Sequence, residues 1–356
     1  MRTQQAAARG ALTYKEIGEQ PAALRDAYEE ALRRKDWAQA YLADPSVEQT
    51  LFIGSGSSYY QSITMAATYR SWLGRDALAL PSSDLLLIRK QVAAEDKKTV
   101  VFGVSRSGES TEVVKALESV RGLPDWKLAG ATCYPESSMA ALGDSLAAKL
   151  GQEKSTVMTK SLASMIVGIQ TAIASVSGNE ARLADMAAVV ENQADRVREG
   201  EKLALELVQS RHFDKTVYLG LGAMFGIAQE GCLKLKEMSN TWTESYGTLE
   251  FRHGPKSIVD PHTCVIVLVS EQSRAAELKV AQEMKEYGAH VVVVTAKAGD
   301  DTAFADTVVP TGLPDAADEA RAAATLPFLQ YYGFYTAMLR GVDPDNPRNL
   351  TQVVRI

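Results

Sequence analysis

Apolar strands and helical stretches alternate along this chain in an order that runs once and then begins again, which limits the folds that the chain can adopt. The first run opens with TLFIGSGSSYYQSI at residue 50, and the second opens with TVYLGLGAMFGIAQ at residue 216. Both segments predict a short buried strand, a Gly-containing turn and a helix. Strands that alternate with helices form parallel βαβ units. We therefore predict an α/β fold with parallel sheets in three-layer α/β/α arrangements.

The apolar pattern also predicts where the elements lie. In the first run it predicts strands at 50–53, 99–104, 127–132 and 145–149, with helices at 59–73 and 111–120. Two long helices follow between 161 and 210. In the second run it predicts strands at 215–219, 263–269, 290–295 and 306–309, with helices at 223–238, 275–287 and 317–339. The segment after helix 223–238 is expected to be irregular.

The two runs follow the same order, which indicates an internal duplication of about 120 to 130 residues, a domain-sized repeat. We accordingly divide the chain into an N-terminal helical segment at 1–45 and domains at 46–200 and 201–356. Pro45 ends the N-terminal segment. Because few residues are identical between the halves, the duplication is inferred from pattern alone.

Composition argues against several classes of protein. Lys and Arg number 38 against 44 Asp and Glu, so the net charge is −6, whereas a nucleic-acid binder needs a basic face. The cysteines and histidines lack the spacing of a disulfide framework or a metal site, so we expect no metal and no cofactor. The N-terminus lacks the apolar core of a signal peptide, and no apolar run is long enough for a membrane span. We expect a cytoplasmic protein that binds neither nucleic acid nor membrane.

Hydroxyl side chains cluster at the carboxyl ends of two predicted strands in the first run. One loop is Gly54-Ser55-Gly56-Ser57-Ser58, and the other is Ser105-Arg106-Ser107-Gly108-Glu109-Ser110. Ligands of open α/β sheets bind at these strand ends, where helix N-termini offer free N–H groups. We predict that the two loops together hold a phosphate-like anion, although neither matches the Walker A pattern. The alternative is that Ser110 caps a helix and the other serines are turn residues.

The matching turns of the second run are poorer in hydroxyl groups. They are Gly220-Leu221-Gly222-Ala223 and Ser270-Glu271-Gln272-Ser273, and Glu271 is expected to repel an anion. We therefore expect only the first domain to hold the anion. The second domain would then serve packing or dimer formation.

Candidate groups for proton transfer lie in the segment 231–260. Lys234 and Glu237 are three residues apart on one predicted helix face, and His253 precedes a Gly-Pro turn. A carboxylate and an imidazole near an anion site are the groups that proton transfer on a sugar requires. The alternatives are an ordinary surface ion pair for Lys234 and Glu237, and a hydrogen-bonded turn residue for His253.

Taken together, these motifs resemble the sugar isomerase (SIS) family, which includes the isomerase half of glucosamine-6-phosphate synthase. The chain more particularly resembles the tagatose-6-phosphate ketose/aldose isomerase group, which acts as galactosamine-6-phosphate deaminase/isomerase. The segments that carry this resemblance extend over nearly the whole chain and are TYKEIGEQP, PSSDLL, SRSGES, MTKSLASM and FRHGPKSIVD. The resemblance implies two tandem SIS subdomains, each a five-stranded parallel sheet flanked by helices, and a homodimer.

The resemblance also implies roles for individual residues. It implies that the phosphate of a sugar is held by Ser58, Ser105, Ser107 and Ser110. Ser57, beside Ser58 in the loop 54–58, is a further candidate phosphate-binding residue. Arg106 occupies the place of a glutamine that contacts phosphate in the synthase. Glu237 matches the base that moves a proton between C1 and C2, and Lys234 matches a lysine beside that base. His253 matches the residue that opens the sugar ring, often in the site of the neighbouring subunit.

One departure from the synthase argues against a glutamine-dependent reaction. The tail Pro347-Arg348-Asn349-Leu350-Thr351-Gln352 resembles the synthase tail, but Gln352 stands where the synthase has a lysine that forms a Schiff base. A neutral amide forms no imine with a ketose. The Cys nucleophile of the synthase's glutaminase half is also missing, because residue 2 is Arg and Cys133 is the first cysteine.

These features and the resemblance predict an enzyme that converts a hexosamine 6-phosphate, of galactosamine or glucosamine type, to a ketose 6-phosphate and ammonia. Plain aldose–ketose isomerisation of a hexose phosphate or sulfo-sugar and cleavage of a fructosamine 6-phosphate are alternatives that use the same groups. A non-catalytic sensor of sugar phosphates is a third kind of protein with this fold. No helix-turn-helix segment supports the sensor, and the presence of both Glu237 and His253 favours an enzyme.

Overall fold

Two five-stranded parallel β-sheets form the centre of the computed structural model, which describes residues 9–354. The first sheet consists of Gln49–Gly54 (β1), Ala77–Pro81 (β2), Thr99–Val104 (β3), Trp126–Thr132 (β4) and Asp144–Ala147 (β5). The second consists of Lys215–Gly220 (β6), Thr243–Gly247 (β7), Thr263–Leu268 (β8), His290–Thr295 (β9) and Thr307–Pro310 (β10). Helices pack around both sheets.

The helices that precede or cover the first sheet are Ala11–Gly18 (α1), Gln20–Arg33 (α2), Lys35–Tyr41 (α3), Ser57–Leu73 (α4), Ser82–Leu87 (α5), Arg89–Val92 (α6), Thr111–Val120 (α7), Ser138–Leu142 (α8) and Lys160–Val176 (α9). Those that follow are Glu180–Ser210 (α10), Ala223–Ser239 (α11), Arg274–Glu286 (α12) and Ala322–Leu339 (α13). Short 3-10 turns lie at 149–151, 250–252, 255–258, 271–273 and 300–302. None of the helices within residues 9–354 is both long and apolar enough to cross a membrane.

The two sheets share one strand order. The first runs β2-β1-β3-β4-β5, and the second, counted from its β7 edge, runs β7-β6-β8-β9-β10. All neighbouring strands pair in parallel. The predicted α/β fold with two parallel five-stranded sheets is therefore confirmed. The shared order supports the predicted duplication, which remains an inference.

Burial explains which strands the apolar pattern predicts. Strands β3 and β8 are buried along their whole length because helices cover both faces of each sheet, so they are continuous apolar runs. The edge strands β2 (ALALP) and β7 (TESYG) are mostly half-buried and carry Pro, Gly or polar residues. The apolar pattern predicts neither of them. The expectation of an irregular segment after α11 is therefore wrong at Thr243–Gly247, where β7 pairs with β6.

The structure bears on two predicted boundaries, the start of α13 and the division between the two domains. Helix α13 begins at Ala322 rather than at 317, because the residues before it form a connector held by side-chain hydrogen bonds. The predicted domain boundary between residues 200 and 201 falls inside the continuous helix α10. The N-terminal segment is helical from Ala11 onward, and its first eight residues lie outside the described residues.

Helices α4 and α11 connect the two halves of the molecule. Each begins directly after a Gly that follows the first strand of its sheet, namely Gly56 at φ 58° and Gly222 at φ 55°. The two helices pack on each other, and the Thr64 hydroxyl donates to the carbonyl oxygen of Ala223 at 2.8 Å. A Cβ atom at Gly226 would lie 2.4 Å from the backbone oxygen of Tyr60. This contact therefore requires a residue without a side chain.

We predict that Gly226→Ala lowers the thermal unfolding midpoint, because the added methyl group must push α4 away from α11. Overpacking of this kind costs about 1–3 kcal/mol. Gly168→Ala in α9 is the matched control, since its Cβ would meet its nearest neighbour at an ordinary 3.4 Å. The control should be neutral or slightly stabilising, because Ala favours a helix over Gly. Equal midpoints for the two variants would contradict the proposed tight contact.

Candidate functional site

A cavity of about 200 Å³ lies where the carboxyl end of the first sheet faces helix α11. Both hydroxyl loops, α11 and the C-terminal segment contribute to it. The lining residues are Ser55, Gly56, Ser57, Ser58, Arg106, Ser107, Ser110, Glu112, Thr156, Met158, Lys234, Glu237, Leu350, Thr351, Gln352 and Val354. The structure therefore brings the predicted anion loops and the predicted Lys–Glu pair to one place, although they are more than 120 residues apart in the sequence.

The first hydroxyl loop leads into the N-terminus of α4. Gly56 adopts the left-handed φ of 58°, and the helix starts at Ser57. Ser57 and Ser58 are both buried and line the cavity. The Ser57 hydroxyl donates to Oε1 of Glu230 on α11 at 3.1 Å, which connects this loop to the opposite wall. Free N–H groups at this helix end suit an anion.

The second hydroxyl loop turns sharply at Gly108, whose φ is 65°. A Cβ atom there would lie 2.0 Å from Oγ of Ser137, so only Gly fits. Ser105 does not line the cavity; its hydroxyl oxygen accepts the N–H of Gly108 at 3.1 Å and so shapes the loop. Ser107 and Ser110 do line the cavity, and Ser110 is the N-cap residue of α7.

The guanidinium of Arg106 lies in the cavity wall, where several acceptors surround it. It donates to Glu153 at 3.3 Å and to the carbonyl oxygens of Ser155 at 3.2 Å, Thr156 at 3.0 Å and Gln352 at 3.2 Å. Its side chain is only 7% exposed. Arg106 thus holds the 153–156 loop and the C-terminal segment together, and its direct contact with a phosphate stays a prediction.

The C-terminal segment closes one side of the cavity. The Gln352 side-chain amide donates to the carbonyl oxygens of Glu153 at 3.2 Å, Lys154 at 3.4 Å and Ser155 at 3.2 Å. Val354 accepts the N–H of Thr111 at 3.4 Å. The Gln352 side chain therefore anchors the C-terminal segment to the 153–155 backbone.

Lys234 lies between two carboxylates on one face of α11. Its ammonium group bonds to Glu237 and lies 3.4 Å from Glu230, and its side chain is only 1% exposed. Burial opposes its charge, but the two carboxylates outweigh this effect and raise the pKa of Lys234. An ordinary surface ion pair is therefore the wrong description of Lys234 and Glu237.

Glu230 is a member of this group that the sequence reasoning missed. Its Oε2 atom is buried without a hydrogen-bond partner among the described residues. Burial raises its pKa to about 7, against the opposing pull of Lys234. The signal was available, because Glu230 precedes Lys234 by one helical turn and so shares its face. Glu112 was also missed; its carboxylate lines the cavity and accepts the Ser55 hydroxyl at 2.8 Å.

His253 is the one predicted catalytic residue that the structure places elsewhere. It is exposed at the end of the 250–252 turn and does not line the cavity of its own chain. Gly254 follows it with a left-handed φ of 125°. Within the described residues of one chain, four of the five predicted serines therefore come together with Lys234 and Glu237, whereas Ser105 and His253 do not line the cavity.

Comparison with known proteins agrees with this fold. Residues 210–311, which contain all five strands of the second sheet, match the family model of the SIS domain. This match identifies an SIS domain in the second half of the chain. The fold as a whole, with its two parallel five-stranded sheets, is shared with solved structures that superpose over most of the chain.

Two solved structures illustrate that similarity. Glucosamine-6-phosphate deaminase from Thermotoga maritima superposes with a TM-score of 0.74 at 25% identity, over 92% of this chain and 99% of that one. Tagatose-6-phosphate ketose/aldose isomerase from Escherichia coli superposes with a TM-score of 0.79 at 23% identity, over 96% of both chains. The second likeness, at this low identity, describes the fold alone.

Curated sequence relatives include enzymes that are much longer. The isomerizing glutamine–fructose-6-phosphate aminotransferase of Sulfurisphaera tokodaii is 25% identical over 346 residues, which is 96% of this chain but 56% of that enzyme. The corresponding enzyme of Gloeobacter violaceus is 29% identical over 96% of this chain and 58% of its own length. The chain thus spans little more than half the length of these relatives.

The raised pKa of Glu230 predicts a pH dependence of stability. The folded state holds a proton on this carboxyl up to about pH 7, whereas the unfolded state loses it near 4.5. The free energy of unfolding should therefore fall as pH rises through this window, by at most about 1.4 kcal/mol per pH unit. Glu230→Gln should remove that slope in urea unfolding, and the exposed Glu206→Gln should keep it. A slope that survives in Glu230→Gln would show that another group titrates.

Proposed function

We propose that this protein is a sugar-phosphate deaminase/isomerase that converts a hexosamine 6-phosphate and water to a ketose 6-phosphate and ammonia. The single observation that carries the proposal is the meeting of Ser107 and Ser110 with Lys234 and Glu237 in one cavity. The first pair suits an anion, and the second suits proton transfer. The match of residues 210–311 to the SIS domain and the likeness to a glucosamine-6-phosphate deaminase support the choice of reaction class.

The phosphate would bind at the two hydroxyl loops. Hydroxyl groups of Ser58, Ser107 and Ser110 can donate to its oxygens, and the N-termini of α4 and α7 add backbone N–H groups and partial positive charge. Arg106 adds a guanidinium to the same wall, where its charge is partly neutralised by Glu153. These donors would fix one end of the substrate and so set which carbon atoms reach α11.

Glu237 would act as the base at the other end of the cavity. In the open-chain aldehyde form of the sugar, its carboxylate removes the proton from C2, which gives an enolamine, and then returns a proton to C1. The product is an imine at C2 with a hydroxyl at C1. Addition of water to that imine and loss of the amine as ammonia complete the balanced reaction.

Lys234 would stabilise the oxygen at C1 during proton transfer. Its raised pKa keeps it charged, and charge-assisted hydrogen bonds strengthen as negative charge develops on the substrate. Glu230 would hold Lys234 in place from the opposite side. Because Gln352 is a neutral amide and cannot form an imine, water is the nucleophile that we expect to attack C2.

We further propose that the enzyme works as a homodimer, in which His253 of one subunit opens the sugar ring bound in the other. The exposure of His253 and its absence from the cavity of its own chain support this arrangement. A cytoplasmic location remains a prediction from the sequence.

The reaction can be tested with a substrate panel and one matched pair of variants. We expect ammonia and ketose to form together from galactosamine 6-phosphate or glucosamine 6-phosphate. Glu237→Gln should lower turnover by about 10²- to 10⁴-fold while phosphate binding persists, because only the base is lost. Glu206→Gln, an exposed change of the same kind on α10, should retain full activity.

The same panel separates the alternatives. Ketose without ammonia from a neutral hexose phosphate or a sulfo-sugar would indicate plain isomerisation, and turnover of a fructosamine 6-phosphate would indicate a deglycase. Tight binding of a sugar phosphate without any turnover would indicate a sensor. Full activity of Glu237→Gln would mean that Glu237 is not the base.

The role of His253 across the dimer predicts complementation between two inactive variants. Homodimers of His253→Gln and of Glu237→Gln should each be severely impaired. Heterodimers made by co-expression should regain one complete site, and so about half of the wild-type activity per dimer, because one subunit supplies Glu237 and the other supplies His253. Activity no higher than that of the homodimers would contradict a shared site, as would a monomeric mass for the active enzyme.

A further inference from the structure

The loop after β8 holds the same position in the second sheet as the phosphate loop after β3 holds in the first. Both strands are the third of five in the shared order, and each loop leads into a helix, α7 or α12. In the first loop, no acceptor among the described residues takes the N–H groups of Arg106 or Ser107. Those donors are available to a ligand.

In the second loop, the equivalent donors already have an acceptor from a distant part of the chain. The carboxylate of Asp318 accepts the N–H of Glu271 at 2.8 Å, the N–H of Gln272 at 3.2 Å and the hydroxyl of Ser270. Asp318 lies in the connector between β10 and α13, 48 residues beyond Ser270. A side-chain carboxylate thus occupies the loop as an anionic ligand would.

The surroundings of this carboxylate form a built site. Arg321 is only 1% exposed, and its guanidinium bonds to Asp318 and to the carbonyl oxygen of Ala316 at 2.9 Å. Ser270 is also more than nine-tenths buried. Burial opposes the charge of Asp318, but the Ser270 hydroxyl, the two N–H groups and Arg321 outweigh it and lower its pKa. The loop therefore stabilises a negative charge.

The neighbouring carboxylates of Glu277 and Glu271 have hydrogen-bond partners of their own. Glu277 accepts the N–H of Ser270 at 3.0 Å and the hydroxyls of Ser273 at 2.7 Å and Thr248 at 2.5 Å. Glu271 bonds to Arg274 at 3.0 Å instead of facing the loop donors. Glu271, which was expected to repel an anion, thus bonds to Arg274, and Asp318 takes the loop donors.

We propose that the loop 270–272 is a second anion-binding site whose ligand is the chain's own Asp318 carboxylate. The internal ligand keeps small oxyanions such as formate or inorganic phosphate out of the second domain. It also anchors the connector from which α13 starts. The contacts of Asp318 all lie in the second domain, so this assignment is independent of the reaction proposed for the cavity.

Chemical rescue tests this assignment. Asp318→Ala should lower the thermal unfolding midpoint by several degrees, and sodium formate, which matches the missing carboxylate, should restore at least half of the loss. Sodium chloride at equal ionic strength should not. Wild type and Asp315→Ala, an exposed change in the same connector, should respond equally to the two salts. If formate helps Asp318→Ala no more than chloride does, the loop is not an anion site.

A second variant keeps the test decisive if Asp318→Ala does not fold. Asp318→Asn retains the shape of the side chain and removes its charge. Hydrogen exchange of the peptide that contains Glu271 and Gln272 should then be at least tenfold faster than in wild type, because a neutral amide accepts hydrogen bonds less strongly than a carboxylate. Unchanged exchange there would overturn the proposal.

Discussion

Helices α4 and α11 approach each other so closely at Gly226 that the backbone of Tyr60 leaves no room for a methyl group. The cavity depends on this contact because each helix contributes residues to its wall. Helix α4 begins at the hydroxyl loop of the first sheet, and α11 carries Lys234 and Glu237 from the second. The hydrogen bond from Ser57 to Glu230 crosses the same junction. Neither domain alone would contain both an anion cradle and a base.

Charge in the site is arranged to compensate for an acidic chain. The molecule carries a net charge of −6, and the cavity holds Glu112 and Glu237 besides any anion that it binds. Attraction for a phosphate would come from hydroxyl groups, backbone N–H groups and helix ends, with Arg106 as a partly neutralised cation. Within the described residues, burial of Lys234 between Glu230 and Glu237 places a second positive charge at the α11 side of the cavity.

Much of the fold follows from periodicity, because buried parallel strands such as β3 and β8 are continuous apolar runs. The edge strands β2 and β7 were not predicted, because half-buried strands do not form continuous apolar runs. Ser107, Ser110, Lys234 and Glu237 could be selected from residue type and spacing. The spacing of Glu230 to Lys234 places both on one helix face, but the burial of its Oε2 atom without a partner is visible only in the structure. Asp318 could not be found at all, since nothing in the local sequence shows which loop a distant carboxylate will reach.

In the proposed reaction, one substrate spans the hydroxyl loops and α11. A crystal structure with a bound hexosamine 6-phosphate or its open-chain analogue would show whether it does. We expect phosphate oxygens within about 2.7–3.2 Å of the Ser107 and Ser110 hydroxyls, with C1 and C2 against the Glu237 carboxylate. A phosphate bound elsewhere, or a sugar whose C2 faces away from Glu237, would contradict it.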